Sequence, residues 1–130
     1  MITVTASILV HEGKVLIAKR SATDKLPNKW EFPGGKLEEN ESHRECLQRE
    51  LEEELGIVTS IGAYLGYSDY EYDHITIRLK FYRTKWVKGT LNPVVHDEIA
   101  FVGIEELGNY DFAPADIPFV HKIIGGEIEL

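Results

Sequence analysis

The segment from Ser42 to Gly56 is the part of the chain whose fold is most narrowly constrained. Ser42 is followed three residues later by Glu45, the spacing of a capping box that begins an α-helix, and Gly56 is of a type that commonly ends one. Between these ends, apolar residues recur at the spacing of a single helix face: Cys46, Leu47, Leu51 and Leu55. We therefore predict an amphipathic helix with one face packed on a hydrophobic core.

Three glutamates share another face of this predicted helix. Glu50, Glu53 and Glu54 are related by i+3 and i+4, so their carboxylates are neighbours and repel one another. A divalent cation reverses the sign of that interaction, because carboxylate oxygens are ligands that Mg²⁺ and Mn²⁺ prefer. Upstream, Gly34 and Gly35 allow the backbone to approach an ion or a phosphate closely. The alternative interpretation is an ordinary solvated acidic face.

The segment from Gly35 to Ile57 resembles the Nudix box, G-x5-E-x7-R-E-U-x-E-E-x-G-U, in which U is an aliphatic residue. Every defined position is filled, namely by Gly35, Glu41, Arg49, Glu50, Leu51, Glu53, Glu54, Gly56 and Ile57. A weaker likeness to the Nudix hydrolases extends over nearly the whole chain. The resemblance implies an α+β fold: the α/β/α sandwich of that family, with a mixed β-sheet and a loop–helix–loop Nudix box, built as one domain from residues 1–130.

The same resemblance implies roles for the residues of the box. The expected metal ligands, for Mg²⁺ or Mn²⁺, are the carbonyl oxygen of Gly35 and the carboxylates of Glu50, Glu53 and Glu54. Arg49 is expected to orient Glu50 through a charge-assisted hydrogen bond, and Glu41 to support the loop rather than to bind the metal.

Water is expected to attack a phosphorus of a nucleoside diphosphate linked to another group, with a carboxylate as general base. Glu53 is one candidate for that base. Glu98 is the other, and a further possible metal ligand, because it precedes the predicted strand 99–103, where the MutT-like branch of the family carries a distal glutamate. An ordinary surface acid is the alternative interpretation of Glu98.

Features outside the box resemble the MutT-like branch, which hydrolyses nucleoside triphosphates to a monophosphate and pyrophosphate. Arg20 ends the second predicted strand, where a phosphate-binding arginine is expected; otherwise it is a surface residue. The run from Trp30 to Lys36 is similar to that branch's approach to the box. It makes Phe32, Gly34 and Lys36 substrate-binding candidates, with Phe32 packing either on a base or in the core.

Asp116 is the candidate for base selection. The run Ala113-Pro114-Ala115-Asp116-Ile117-Pro118 is similar to that of the CTP pyrophosphohydrolases of this branch, whereas the enzymes that remove 8-oxo-dGTP have asparagine in place of Asp116. An ionised aspartate only accepts hydrogen bonds, which suits the amino group of cytosine or adenine and cannot serve guanine O6. We therefore expect a preference for cytosine or modified nucleotides. The alternative role of Asp116 is to cap the last helix.

The remaining predicted elements are strands at 2–10, 14–19, 30–32, 61–71, 74–86 and 99–103, a loop at 20–29, an irregular turn at 33–35 and a helix at 116–125. Because the net charge is −8, we expect no binding to duplex nucleic acid. We expect a cytoplasmic protein, monomeric or homodimeric, without a signal peptide or a membrane span. The other functions left open are 8-oxo-dGTP removal, hydrolysis of a nucleotide sugar or dinucleoside polyphosphate, and a catalytically silent nucleotide-binding module.

Overall fold

A computed structural model describes residues 1–130. Its elements are β1 (Ile2–His11), β2 (Lys14–Lys19), β3 (Trp30–Glu31), β4 (Gly34–Lys36), α1 (His43–Leu55), β5 (Val58–Tyr72), β6 (Ile75–Lys88), β7 (Glu98–Val102), a 3₁₀-helix (Ile104–Asn109) and α2 (Ile117–Ile124). The strands form one seven-stranded sheet. β1 and β6 run parallel, and every other pair of strands is antiparallel. This is the mixed sheet that the sequence predicts.

The sheet is covered by a helix on each face. Because side chains alternate across a strand, Ile8 and Ile17 pack into one cluster with Phe119 of α2. Leu9 and Leu16, their neighbours in the sequence, pack into a second cluster with the leucines of α1. The predicted α/β/α arrangement is confirmed.

The caps predicted for α1 are both present. Ser42 Oγ accepts a hydrogen bond from the Glu45 amide at 3.1 Å, and Glu45 Oε1 accepts one from the Ser42 amide at 2.9 Å. Gly56 ends the helix in the left-handed conformation, with φ 72°. The predicted apolar stripe is buried, and burying each leucine contributes about 1.5–3 kcal/mol. This packing sets the rotation of α1, and hence the direction of its glutamate face.

The prediction of an irregular turn at 33–35 is wrong. Gly34 to Lys36 form β4, which pairs antiparallel with β1. At Gly34 the carbonyl of Thr5 lies where a Cβ atom would stand. The glycine therefore permits close approach of two strands, which local turn propensity does not reveal.

The other differences are confined to ends and connections. β5 begins at Val58 rather than at 61, and the 3₁₀-helix Ile104–Asn109 had no counterpart among the predicted elements. None of the helices has the length and apolar character needed to cross a membrane.

Candidate active site

The glutamate face of α1 has a largely buried part and an exposed part. The side chains of Glu50 and Glu54 are 14% and 17% exposed, whereas that of Glu53 is 60% exposed. The structure therefore places Glu50 beside Glu54 and turns Glu53 towards solvent. In this conformation, no three His, Cys, Asp or Glu side chains lie close enough together to hold one ion.

Arg49 connects these glutamates to the preceding loop. Its Nε and Nη2 donate to the two carboxylate oxygens of Glu41 at 3.0 and 2.8 Å. Its Nη1 donates to Glu50 at 2.9 Å and to Glu53 at 3.2 Å. Together with an amide hydrogen bond from Glu38, the Arg49 fork lowers the pKa of Glu41 to about 2. A single guanidinium thus orients three carboxylates.

Glu54 is the least satisfied carboxylate of this group. Its Oε2 atom is buried and has no hydrogen-bond partner. Burial, and then the hydrogen bond and the charge of Glu50, raise the pKa of Glu54 to about 9. An anionic niche with an unpartnered carboxylate oxygen fits a hard divalent cation, which would offset both the repulsion and the burial.

A cavity of about 610 Å³ opens beside Glu54. Its apolar wall comes from β1 and β6, including Val4, Ile77 and Leu79, and polar groups from several loops complete the lining. Cavities of this size accommodate small organic ligands, whose orientation is set by a few polar groups.

Asp116 lies in the same cavity lining, 4% exposed. It precedes α2 but makes no capping hydrogen bond, so the predicted capping role is wrong. Instead, its Oδ1 accepts a hydrogen bond from the Phe32 amide at 3.3 Å. Burial, and then the charge of Glu31, raise the pKa of Asp116 well above its usual range. The site therefore disfavours the ionised form that was assumed from the sequence.

Phe32 belongs to the hydrophobic core, where it is 3% exposed. Its ring meets Phe81 edge-on, with centroids 6.0 Å apart, and lies 5.2 Å from the ring of Phe112. Of the two roles left open by the sequence, the structure shows core packing, although Phe32 also borders the cavity.

Arg20 lines the cavity, but its guanidinium already has protein partners. Nη1 donates to Glu31 at 2.7 Å, Nη2 lies 3.1 Å from Asp24, and Nε donates to the Lys25 carbonyl at 3.1 Å. These contacts hold the loop after β2 against the cavity. A phosphate would have to compete with them for the arginine.

Glu31 and His96 were not singled out by the sequence, yet both line the cavity. His96 Nε2 lies 2.9 Å from Glu31 Oε2 and 3.9 Å from Glu54 Oε2. A lone histidine far from the Nudix box carries no local signal of such a position. For Glu31, the only signal in the sequence is its place in the run from Trp30 to Lys36, which leads into the Nudix box.

The remaining site candidates are more scattered. Glu98 is exposed at the start of β7, opposite Lys19 of β2 in the strand register, and is not part of the cavity lining. Gly34, Gly35 and Lys36 do line the cavity. The carbonyl oxygen of Gly35 accepts hydrogen bonds from Thr5 Oγ1 at 3.3 Å and Cys46 Sγ at 3.6 Å.

The fold and the site define an α+β protein in which a helix bearing paired glutamates borders a ligand-sized cavity. The family model described as NUDIX domain matches residues 1–123, and the chain belongs to this family of hydrolases. Members of the family generally need divalent metal ions.

Known proteins of the family are similar over nearly the full length. The CTP pyrophosphohydrolase of Escherichia coli (strain K12) is 40% identical over 124 residues, which span 95% of this chain and 92% of that protein. The 8-oxo-dGTP diphosphatase of Haemophilus influenzae is 30% identical over 126 residues, spanning 95% and 92%. The solution structure of the E. coli ORF135 protein superposes with a TM-score of 0.85 at 37% identity, covering 98% of this chain and 91% of that one.

Proposed function

We propose that this Nudix hydrolase cleaves nucleoside triphosphates to a monophosphate and pyrophosphate with Mg²⁺, and that it favours cytosine nucleotides. The observation that carries the proposal is that Glu54 of the acidic helix and Asp116 line one cavity. A single nucleotide could therefore meet metal-binding carboxylates with its phosphates and Asp116 with its base. The names of the relatives, CTP pyrophosphohydrolase and 8-oxo-dGTP diphosphatase, support a nucleoside triphosphate as substrate.

Glu50 and Glu54 are the residues best placed to hold a divalent cation, with Glu53 and the Gly35 carbonyl as further ligands. When bound, such a cation neutralises phosphate charge, stabilises charge that develops on phosphoryl oxygens and activates the attacking water. Arg49 keeps Glu50 and Glu53 oriented through its hydrogen bonds. Lys36, exposed at the cavity, adds a positive charge for the phosphates.

Glu53 is the proposed general base. Glu53 shares the Arg49 guanidinium with Glu50 on the acidic helix, whereas Glu98 stands apart from that helix on β7; neither side chain is part of the cavity lining. As the water oxygen bonds to phosphorus, its proton passes to the Glu53 carboxylate, and the bond to the bridging oxygen breaks to release pyrophosphate.

Asp116 supports the preference for cytosine. A neutral carboxyl offers one donor and one acceptor, which match N3 and the N4 amino group of cytosine. Its ionised form still accepts from the amino group. Guanine O6 needs a donor, which only the neutral form provides. Cytosine can thus be bound by both forms of Asp116. An oxidised guanine nucleotide is the second candidate substrate, because Asp116 is buried and burial favours the neutral form that donates.

A panel of CTP, dCTP, 8-oxo-dGTP and a nucleotide sugar, each supplied with Mg²⁺ and analysed by mass spectrometry, tests this function. We expect a nucleoside monophosphate and pyrophosphate, with kcat/KM highest for the cytosine nucleotides. A clear preference for 8-oxo-dGTP would contradict the base assignment. Cleavage of the sugar compound alone would favour another Nudix activity, and binding without turnover of any compound would favour a silent module.

The role of Glu53 is tested by Glu53→Gln. Loss of a general base lowers kcat by about 10²–10⁴-fold. Glu52→Gln, an exposed change on the same helix, is the matched control and should retain wild-type turnover. Full Mg²⁺-dependent turnover by the Glu53 variant would rule out this mechanism.

A further inference from the structure

His96 lies in the cavity lining, next to both Glu31 and Glu54. Its side chain is only 4% exposed. Its Nε2 faces Glu31 Oε2 at 2.9 Å and Glu54 Oε2 at 3.9 Å. Because a carboxylate only accepts hydrogen bonds, Nε2 carries the hydrogen and donates it to Glu31, while Glu54 lies beyond hydrogen-bond distance.

Glu31 is itself held from the other direction. Its Oε1 accepts a hydrogen bond from Arg20 Nη1 at 2.7 Å, and its Oε2 faces His96. The side chains of Arg20, Glu31, His96 and Glu54 therefore form a continuous row along the cavity wall. The row begins at the loop after β2 and ends on the acidic helix.

The backbone around His96 is tied directly to the helix that carries Glu54. The amide of Val94 donates to the Glu54 carbonyl at 2.9 Å, and the amide of Asn92 donates to the Leu55 carbonyl at 2.9 Å. On the other side of His96, the amide of Asp97 donates to the Lys19 carbonyl at 3.0 Å. The backbone at His96 is thus held by main-chain hydrogen bonds to α1 on one side and to β2 on the other.

We propose that His96 is a positioning residue, which orients the Glu54 carboxylate for cation binding. Because His96 is itself held by Glu31, the position of Glu54 then depends on Glu31 as well. Glu54 Oε2 is buried without a hydrogen-bond partner, and His96 Nε2 lies 3.9 Å from it. Groups that orient a metal-binding side chain typically change metal affinity or activity by about 10–100-fold when they are removed. This inference rests on the proposed function for its kinetic consequence, but not for its effect on cation binding.

The test compares His96→Gln with His96→Asn. The glutamine amide nitrogen can reach the position of Nε2, whereas the asparagine amide is too short. Mn²⁺ affinity is measured without nucleotide by electron paramagnetic resonance, and kcat and KM are measured separately with CTP. Thermal unfolding shows that each variant is folded. His121→Gln, an exposed change on α2, is the control.

We expect His96→Asn to bind Mn²⁺ about 10–100-fold more weakly and to lose kcat by a similar factor, with little change in KM. His96→Gln should stay within about threefold of wild type on both measurements. Wild-type Mn²⁺ affinity in both folded variants would overturn the proposal, as would equal losses in both. If the wild type hydrolyses no triphosphate, the proposed function fails, while the Mn²⁺ measurement still decides the role of His96.

Discussion

The carboxylate of Glu50 lies in the space that a side chain at Gly35 would fill. Any larger residue at this position would force the carboxylate of a residue fifteen positions away to move, whereas the backbone angles of Gly35 do not themselves require glycine. The arrangement lets the acidic helix bring Glu50 directly against β4.

Gly35→Ala should displace Glu50, because the added Cβ cannot coexist with the observed carboxylate position. Misplacing a catalytic group by about 1 Å costs roughly 100-fold in rate, and we expect kcat/KM to fall by that order. Gly108→Ala is the matched control, since its Cβ would meet only Ile124 at an ordinary 3.5 Å. Wild-type kcat/KM in folded Gly35→Ala would show that the position of Glu50 is not critical.

Phe32→Ala should act mainly on stability, because the ring packs in the core between Phe81 and Phe112. The expected loss of unfolding free energy, measured by urea denaturation, is about 3–5 kcal/mol. Tyr64→Ala, at a residue 47% exposed, should change it by less than about 1 kcal/mol. A stable Phe32 variant with a greatly increased KM would instead indicate that the ring stacks on the base.

The ratio of kcat/KM for CTP to that for GTP should increase with pH. Because burial raises the pKa of Asp116 well above its usual range, its proton is retained at low pH and lost as the pH rises. The lost donor weakens recognition of guanine O6, while the N4 amino group of cytosine is still bound. We expect a change of up to about tenfold, the worth of one hydrogen bond.

Taking the ratio of two substrates removes pH effects that act on both, such as ionisation of the glutamates. Asp116→Asn is the informative variant, because its amide keeps a donor and an acceptor at every pH. For this variant, the ratio of kcat/KM for CTP to that for GTP should stay constant as the pH rises. A constant ratio in the wild type, or the same trend in the variant, would exclude Asp116 as the group responsible.

Without metal, the protein should become less stable as the pH rises. The folded protein holds the Glu54 proton more tightly than the unfolded chain does, since burial and Glu50 raise the pKa of Glu54 to about 9. The stability that Glu54 contributes is therefore greatest below the usual glutamate pKa of about 4.3 and is lost as the pH rises to the folded value. Thermal unfolding in a chelator should show Tm falling over this range, and added Mg²⁺ should reduce the fall.

Glu54→Gln should make this decline shallower, leaving the part that Asp116 contributes with the same sign. Glu52→Gln removes one negative charge from the same helix at an exposed position and should keep the wild-type slope. Equal slopes for all three proteins would mean that the decline reflects general charge repulsion, not Glu54.

The acidic helix could be predicted almost completely because its signals are local. Ser42, Glu45 and Gly56 act within one or two turns of the helix they cap, and the leucine spacing sets which face is buried. The same local reasoning mistook Gly34 and Gly35 for part of a turn, because the strand that pairs with them, β1, lies far away in the sequence.

By itself, the sequence determined that a capped amphipathic helix would carry Glu50, Glu53 and Glu54 on one face, because helical periodicity depends only on neighbouring residues. The tertiary structure decided which of them is buried, that Asp116 bonds to Phe32 rather than capping α2, and that His96 reaches Glu54. Those contacts join segments brought together only when the sheet assembles. Their strength depends on burial and on charges from several elements, and no local pattern encodes either.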